Sequence, residues 1–489
     1  MASGQYTGNH GAAVDSWRHD KEFASAWPAG AMHAEEAYVR GISGQGVKVG
    51  VLDSGADVTH PELSSPRIIT VLTTGRYADD GLQYFADGNK TPLPVKRNDP
   101  FSVSGAYDPL INDSHGTLVT GAIGAARNGT GMQGVAYDSQ VYVANTNGTD
   151  DNREQGSDSL DYNYFSAAYA ALGSAGVRIV NQSWGQNSSI QEENLTDNTA
   201  QMVNAYQRFS KRATSGDKTW LDAAAEAAQR YHYIEVISAS NDPQKNPDML
   251  ASLPYYKPEI EKDWLAVSGY SPDGEQVYNQ CGVARYWCVM APTVARSTLA
   301  GGGYDGGFNG TSASAPYASG ALTLVMQRFP YMTSEQALSV MLTTSHELVA
   351  APGVDTSRPI TEYAVPDNKQ GAWGYLTPLA DGASGVPNAI TGWGLIDIAK
   401  AMNGPAQLLG NMSADLPAGM SDTWSNDISD KATVALRAFE QSQLDELRTI
   451  VQTGKMRIPL RIYVDKRTVT GFCARCRRMN DVAAGMKRE

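Results

Sequence analysis

The amino-acid sequence predicts an α/β fold: a doubly wound, mostly parallel sheet with helices on both faces. Two observations predict it. From Gly46 onward, short apolar runs rich in Val and Ile alternate with longer segments of helical pattern, the chain order of a parallel sheet built from βαβ units. Those runs are also nearly continuous in apolar residues, as strands covered on both faces require. With 489 residues, 42% hydrophobic and 19% charged, the chain can bury one large core or two ordinary ones.

The elements follow in order. Residues 1–34 are mixed and polar and read as an N-terminal arm, leading into a short helical pattern around Ala34–Arg40. The first strand is GVKVGVLD, ending at Asp53. A helix of small residues follows His115 (GTLVTGAIGA), then a strand (QVYVANT), a helix over 159–174, a strand (VRIVNQSWG) and a long segment around 198–231. Strands YIEVISAS, WLAVSGYS and WCVMAP come next, and helices over 312–329 and 334–344 complete the pattern. The Asp- and Pro-rich stretch at about 64–112 is too long for a simple connection and reads as a surface insertion. A second excursion covers about 347–390. The main domain is therefore expected over 35–404, with 405–489 as a C-terminal extension. From Lys455 that extension carries ten Lys or Arg against three Asp or Glu, a composition shift that marks a segment outside the main domain.

Charge and composition exclude several classes. A net charge of −13 disfavours a phosphate-binding surface, so nucleic acid is not an expected partner. No stretch approaches the roughly 18 apolar residues of a spanning helix, so membrane insertion of this chain is not expected. The first 30 residues lack the apolar core of a signal peptide. Four cysteines are too few for a disulfide-dependent scaffold. Cys281 and Cys288 bracket an apolar, strand-like stretch; they can close as a disulfide in an exported chain or stay as two buried thiols. Cys473 and Cys476 lack the second ligand pair of a zinc site and read as an incidental pair.

Four short motifs carry chemistry. Val49-Gly50-Val51-Leu52-Asp53-Ser54-Gly55 ends an apolar strand in a carboxylate; strand carboxyl ends line the ligand crevice of an open α/β sheet, although such an Asp also caps ordinary turns. Asn112-Asp113-Ser114-His115-Gly116-Thr117 puts an imidazole at a helix start, where its proton can exchange with a substrate group. Alone, a loop histidine is more often a plain surface residue. Gly310-Thr311-Ser312-Ala313-Ser314-Ala315-Pro316 opens a helix rich in Ala and Gly, placing a hydroxyl beside unpaired N–H groups able to hold an oxyanion. A simple helix cap is the competing reading of Gly-Thr-Ser. Val236-Ile237-Ser238-Ala239-Ser240-Asn241-Asp242 ends a buried strand in an amide able to donate to an oxyanion, or merely to form a turn.

Taken together, Asp-Ser-Gly, His-Gly-Thr and Gly-Thr-Ser-Ala-Ser-Ala-Pro, in that order and with an Asn strand end before the serine, resemble the subtilisin-like serine peptidases, the subtilase family. The resemblance covers roughly residues 35–345, and 392–405 is similar to the family's closing segment. It implies Ser312 as nucleophile, His115 as general base and then acid, Asp53 as the orienting carboxylate and Asn241 as oxyanion donor with the Ser312 N–H. It implies further that an extended substrate pairs beside Ser183, Trp184 and Gly185, with Ala239 and Ser240 walling the first specificity pocket. Polypeptide substrates, a monomer and chemistry needing no cofactor are the matching expectations. Two positions depart from the pattern: Ser114 and Ser240 stand where glycine is usual, and Ser240 is expected to hold a backbone angle that a β-carbon tolerates.

A narrower resemblance rests on Asn279-Gln280-Cys281-Gly282-Val283-Ala284, Trp287-Cys288 and Ala291-Pro292, with Leu416-Pro417-Ala418-Gly419 and Asp422–Ile428. These look like the secreted passenger domains of bacterial autotransporter subtilases, which implies a secreted or cell-surface location. Calcium stabilises many subtilases, and Asp79-Asp80 or Asp150-Asp151-Asn152 supply oxygen atoms, but no calcium-loop spacing appears, so a structural ion is left open and no ligand is assigned. The sedolisin branch, with Glu for His and Asp for the oxyanion Asn, is disfavoured by His115 and Asn241. A non-catalytic scaffold is disfavoured because all four reacting groups are present.

Overall fold

A computed structural model describes residues 8–83, 85, 90–147, 161–185, 199–210, 218–242, 244–271, 278–345, 387 and 389–405. The expected 405–489 extension with Cys473 and Cys476, and nearly all of 347–390, lie outside the described residues.

The chain opens with four short helices, α1 (His10–Arg18), α2 (Lys21–Ala24), α3 (Trp27–Ala31) and α4 (Glu35–Tyr38). The stretch read as an arm packs into the molecule. Trp17 is buried against Phe23, Tyr38 and Tyr137, and the Trp27 indole donates to the Val294 carbonyl at 2.8 Å. Helices this short show no periodicity in a sequence, and only tertiary packing stabilises them.

The central sheet has seven parallel strands in the order β11-β10-β9-β8-β1-β7-β2. They are β1 (Lys48–Asp53), β2 (Ile68–Thr70), β7 (Gln140–Asn145), β8 (Ile179–Gln182), β9 (Ile234–Ser238), β10 (Trp264–Tyr270) and β11 (Cys288–Pro292). The stretch read as an insertion thus supplies the edge strand β2, which at three residues is too short to register as a pattern. The rest of that stretch forms two antiparallel ribbons, β3 (Leu72–Arg76) with β6 (Pro100–Ser104) and β4 (Gly81–Gln83) with β5 (Leu93–Val95).

Side chains alternate across the sheet, as the two-residue period demands. Val49, Val51, Val236, Leu265 and Val267 face one core with α5 (His115–Gly124), α10 (Thr311–Arg328) and α11 (Ser334–Thr344). Leu52, Val180, Ile237, Trp264 and Ala266 face the other with α6 (Tyr162–Ser174), α7 (Thr199–Ser210) and α8 (Trp220–Tyr231). The long segment expected around 198–231 is therefore two helices. Thr219 with Asp222, and Thr333 with Gln336, close capping boxes that start α8 and α11. The described part is completed by α9 (Leu253–Tyr256), the hairpin β12 (Ala295–Thr298) and β13 (Tyr304–Phe308), and α12 (Ile398–Ala401).

Strand order positions the site. From β1 the chain crosses to the edge strand β2, returns to β7 beside β1, and then builds outward through β8 to β11 on the other side. The order reverses at β1, and a crevice opens at the carboxyl ends of the strands there. Asp53 ends β1, Ser183–Gly185 follows β8, and Asn241 lies just beyond β9.

Candidate active site

Asp53 is fully buried at the end of β1. Its Oδ1 accepts from the Ser54 N–H and faces His115 Nδ1, each at 2.8 Å. His115 is the first residue of α5, and the helix start is held against β1 by a small network. Asp113 Oδ1 accepts from the His115 N–H at 2.8 Å and from the Ser54 hydroxyl at 3.0 Å, while Ser54 Oγ accepts from the Gly116 N–H at 2.8 Å. Gly116 is required there, because a β-carbon would meet the Gly55 carbonyl oxygen at 2.3 Å. Ser114, in place of the usual glycine, has φ of −78°, a conformation open to any residue.

Helix α5 is clamped from below by β12: Ser297 Oγ donates to the Leu118 carbonyl and Thr298 Oγ1 to the Thr117 carbonyl. The same hairpin ends in Phe308, whose ring meets the His115 imidazole edge to face at 5.9 Å, and the chain then runs directly into α10. Asp57, four residues beyond the strand end, accepts from Thr59 and from the Gly301 N–H. Burial alone would raise its carboxyl, but these bonds outweigh burial and hold it below the usual carboxylate range.

Ser312 is the second residue of α10, and its hydroxyl donates to the Ser183 carbonyl at 2.8 Å. Asn241 Oδ1 accepts from the Thr311 N–H at 2.8 Å and from the Thr311 hydroxyl at 3.0 Å. With that oxygen engaged, the amide NH₂ is turned to its opposite side. Gly310, at φ of +78°, lets α10 begin against the amide: a β-carbon would sit 2.9 Å from Asn241 Nδ2.

Ser240 departs from the expectation that its backbone suits a β-carbon. Its φ is +93°, in the region that favours glycine. Its N–H donates to Thr311 Oγ1 at 3.1 Å and its hydroxyl to Asp242 at 3.4 Å. Ala239 is buried, and its carbonyl accepts from the Asp248 N–H at 3.1 Å. Asp248 is itself buried, and that burial raises its carboxyl to about 7 even though the Ala251 and Leu250 N–H groups favour the charged form.

The Ser183–Gly185 segment follows β8, with the Trp184 side chain buried. Its indole points into the core, donating to the Leu52 carbonyl at 2.8 Å and packing on Phe165 and Trp220. Cys281 and Cys288 form a disulfide with Cα atoms 5.7 Å apart. The stretch between them, expected to be strand-like, is a 3₁₀ turn over Gly282–Trp287. Asp79 and Asp80 pair with Arg97 and Lys96. Asp150-Asp151-Asn152 lies outside the described residues, and no cluster of three metal-ligating side chains occurs among the described residues.

Sequence reasoning passed over Thr311, Asp113 and Phe308. The first two sit inside quoted motifs, so adjacency was the available signal. Phe308 carried none, since its partner is nearly 200 residues away.

A family model described as the subtilase family matches residues 44–394. The chain is 27% identical over 475 residues to the autotransporter lipoprotein NalP of Neisseria meningitidis, covering 87% of this chain and 39% of that protein. It is 26% identical over 446 residues to an extracellular serine protease of Serratia marcescens, covering 81% of this chain and 35% of that protein. It therefore spans well under half the length of these curated relatives. The solved structure of fervidolysin from Fervidobacterium pennivorans is similar over 83% of this chain and 49% of its own, at 20% identity and a TM-score of 0.48. The match of that family model over residues 44–394 leads to one conclusion: this chain belongs to the subtilase family of serine peptidases.

Proposed function

We propose that this chain hydrolyses peptide bonds as a secreted serine endopeptidase, with 35–404 as its catalytic unit. The observation that carries the reading is the 2.8 Å contact of Asp53 Oδ1 with His115 Nδ1, at the crevice where α10 presents Ser312. Asp53 keeps a proton on Nδ1 and leaves Nε2 to act as base. Ser312 Oγ gives its proton to Nε2 as it attacks the peptide carbonyl, and the imidazolium then returns that proton to the leaving amine. The oxyanion is held by the Asn241 amide NH₂ and the Ser312 backbone N–H. Water, deprotonated by His115, releases the acyl group and regenerates the serine.

An extended polypeptide adds as a strand along Ser183–Gly185, where backbone groups supply affinity and side-chain pockets supply selectivity. Ala239 and Ser240 wall the pocket for the residue before the cleaved bond. The chain's own side chains and backbone N–H groups carry this chemistry, the substrates are polypeptides and the acting unit is a monomer. The Cys281–Cys288 disulfide suits an oxidising compartment. With one relative named as an autotransporter lipoprotein and another as an extracellular protease, it supports a secreted or bacterial cell-surface location.

The test is hydrolysis of unfolded casein at pH 8 by the wild-type chain and by Ser312→Ala, with and without a serine-directed phosphonyl inhibitor. Activity that disappears in both the variant and the inhibited sample is expected. Undiminished hydrolysis by Ser312→Ala would overturn the assignment of the nucleophile.

A further inference from the structure

Ser240, one residue before Asn241, holds φ of +93°, a conformation that persists in a non-glycine residue only where the surroundings over-determine it. Its N–H is fixed by Thr311 Oγ1 at 3.1 Å, and its carbonyl accepts from the Asn279 N–H at 3.3 Å. Asn279 is fully buried and held in turn. Its carbonyl accepts from Ser268 Oγ at 2.6 Å, and its Nδ2 donates to the Asn246 carbonyl at 2.8 Å. The following residues extend the grip: the Gln280 N–H donates to the Gln244 carbonyl at 2.8 Å and the Val283 N–H to Asn246 Oδ1 at 3.0 Å. Gly282 permits this approach, since a β-carbon there would meet Asn246 Oδ1 at 2.1 Å.

Residues 279–283 thus bond to Ser240, Gln244 and Asn246, that is, to both limbs of the loop that carries Asn241. The same residues include Cys281, whose disulfide partner Cys288 begins β11 and is paired with Ala266 of the sheet. The covalent link ties the gripping segment to the central sheet.

We infer that residues 279–283, tethered by the Cys281–Cys288 disulfide, are a brace: through Asn279 they keep Ser240 in the left-handed conformation and so aim the Asn241 amide at the oxyanion. Asn279 is a positioning residue. The inference rests on the reading of Asn241 as oxyanion donor. Without the tether, Asn279 gains freedom, Ser240 relaxes toward negative φ, and the peptide leading into Asn241 rotates. Glycine occupies positive φ without penalty, so a glycine at this position keeps the geometry whether or not the brace is closed. The serine that departs from the family pattern and the disulfide are, on this view, two halves of one device.

The experiment measures kcat and KM on a chromogenic peptide for the Cys281→Ser/Cys288→Ser double variant, in the wild-type and Ser240→Gly backgrounds, below the melting temperature of every protein used. Each is compared with its own disulfide-closed parent. Opening the brace is expected to lower kcat about tenfold in the wild-type background with KM within about twofold, and to lower it less than about twofold in the Ser240→Gly background. Equal losses in both backgrounds, no loss in either, or a change in KM alone overturn the brace. If the disulfide-free chain does not fold, Ser268→Ala, which frees only the Asn279 carbonyl, is run through both backgrounds under the same criteria. Asn241→Ala is the control for the underlying reading. An unchanged kcat there removes the donor assignment and the brace with it, whereas a large loss there with equal brace losses removes the brace alone.

Discussion

The Ser312 hydroxyl donates to the Ser183 carbonyl oxygen at 2.8 Å, so the proposed nucleophile is bonded to the backbone edge on which a substrate is expected to lie. Attack requires that bond to break and the hydroxyl to turn toward His115. Replacing Ser312 with Ala removes one hydrogen bond, a loss of about 1 kcal/mol. Its melting temperature should stay within several degrees of wild type while kcat falls by about 10⁶-fold. Calorimetry beside a casein assay separates the two effects.

Asp53 is fully buried, and its Oδ1 accepts from the Ser54 N–H as well as facing the imidazole. Asp53→Asn keeps the volume but presents an amide where a carboxylate selects the Nδ1–H tautomer. A drop in kcat of about 10⁴-fold is expected. A variant within tenfold of wild type would show that Asp53 does not orient His115.

The Asn241 amide is fixed by Thr311 through two bonds to Oδ1. Asn241→Ala should lower kcat by about 10²–10³-fold with little change in KM, because the donor acts on charge that exists only in the transition state. Thr311→Val removes the hydroxyl that donates to Asn241 Oδ1 and accepts from the Ser240 N–H, and a loss of about tenfold is expected from the misplaced amide. Steady-state kinetics on a single peptide ranks the two.

Trp184 packs inward on Phe165 and Trp220 and donates to the Leu52 carbonyl. Trp184→Ala should therefore destabilise the fold by about 3–5 kcal/mol and leave the preference among side chains before the cleaved bond unchanged. Chemical denaturation and a peptide-library profile test both halves. A shifted preference with unaltered stability would put the indole at the pocket.

Asp248 has its carboxyl raised to about 7 by burial. A raised carboxyl binds its proton more tightly in the folded state, so its contribution is most favourable below about pH 4 and is lost as pH rises toward 7. The slope over that window is at most about 1.4 kcal/mol per pH unit. Asp248→Asn, which cannot ionise, should flatten that part of the stability curve and melt higher than wild type at pH 8. Thermal melts from pH 4 to 8 on both proteins check the sign.

Much of the fold was legible because its signals are local. The strands ending at Asp53 and before Asn241 declare themselves as nearly continuous apolar runs, and α11 begins and ends where its pattern does, at Ser334 and Thr344. The helix after His115 is legible from its small residues, which let α5 pack closely against β1 and β12. Elements with weak local signals were not legible: the helices around Trp17 and Trp27 are too short for periodicity, and β2 is three residues long.

For the site, the sequence by itself marked the groups proposed to react, because Asp53, His115, Asn241 and Ser312 each stand in a short motif that resembles one of the subtilase family's. Only the tertiary structure decided which way Trp184 turns, that Ser240 holds a positive φ, and that Asn279 and Phe308 touch the machinery. The reason is physical. A motif specifies residues within a few positions of one another, whereas rotamer choice, backbone strain and support depend on partners such as Asn279, 39 residues from Ser240, that only the folded sheet brings within bonding distance.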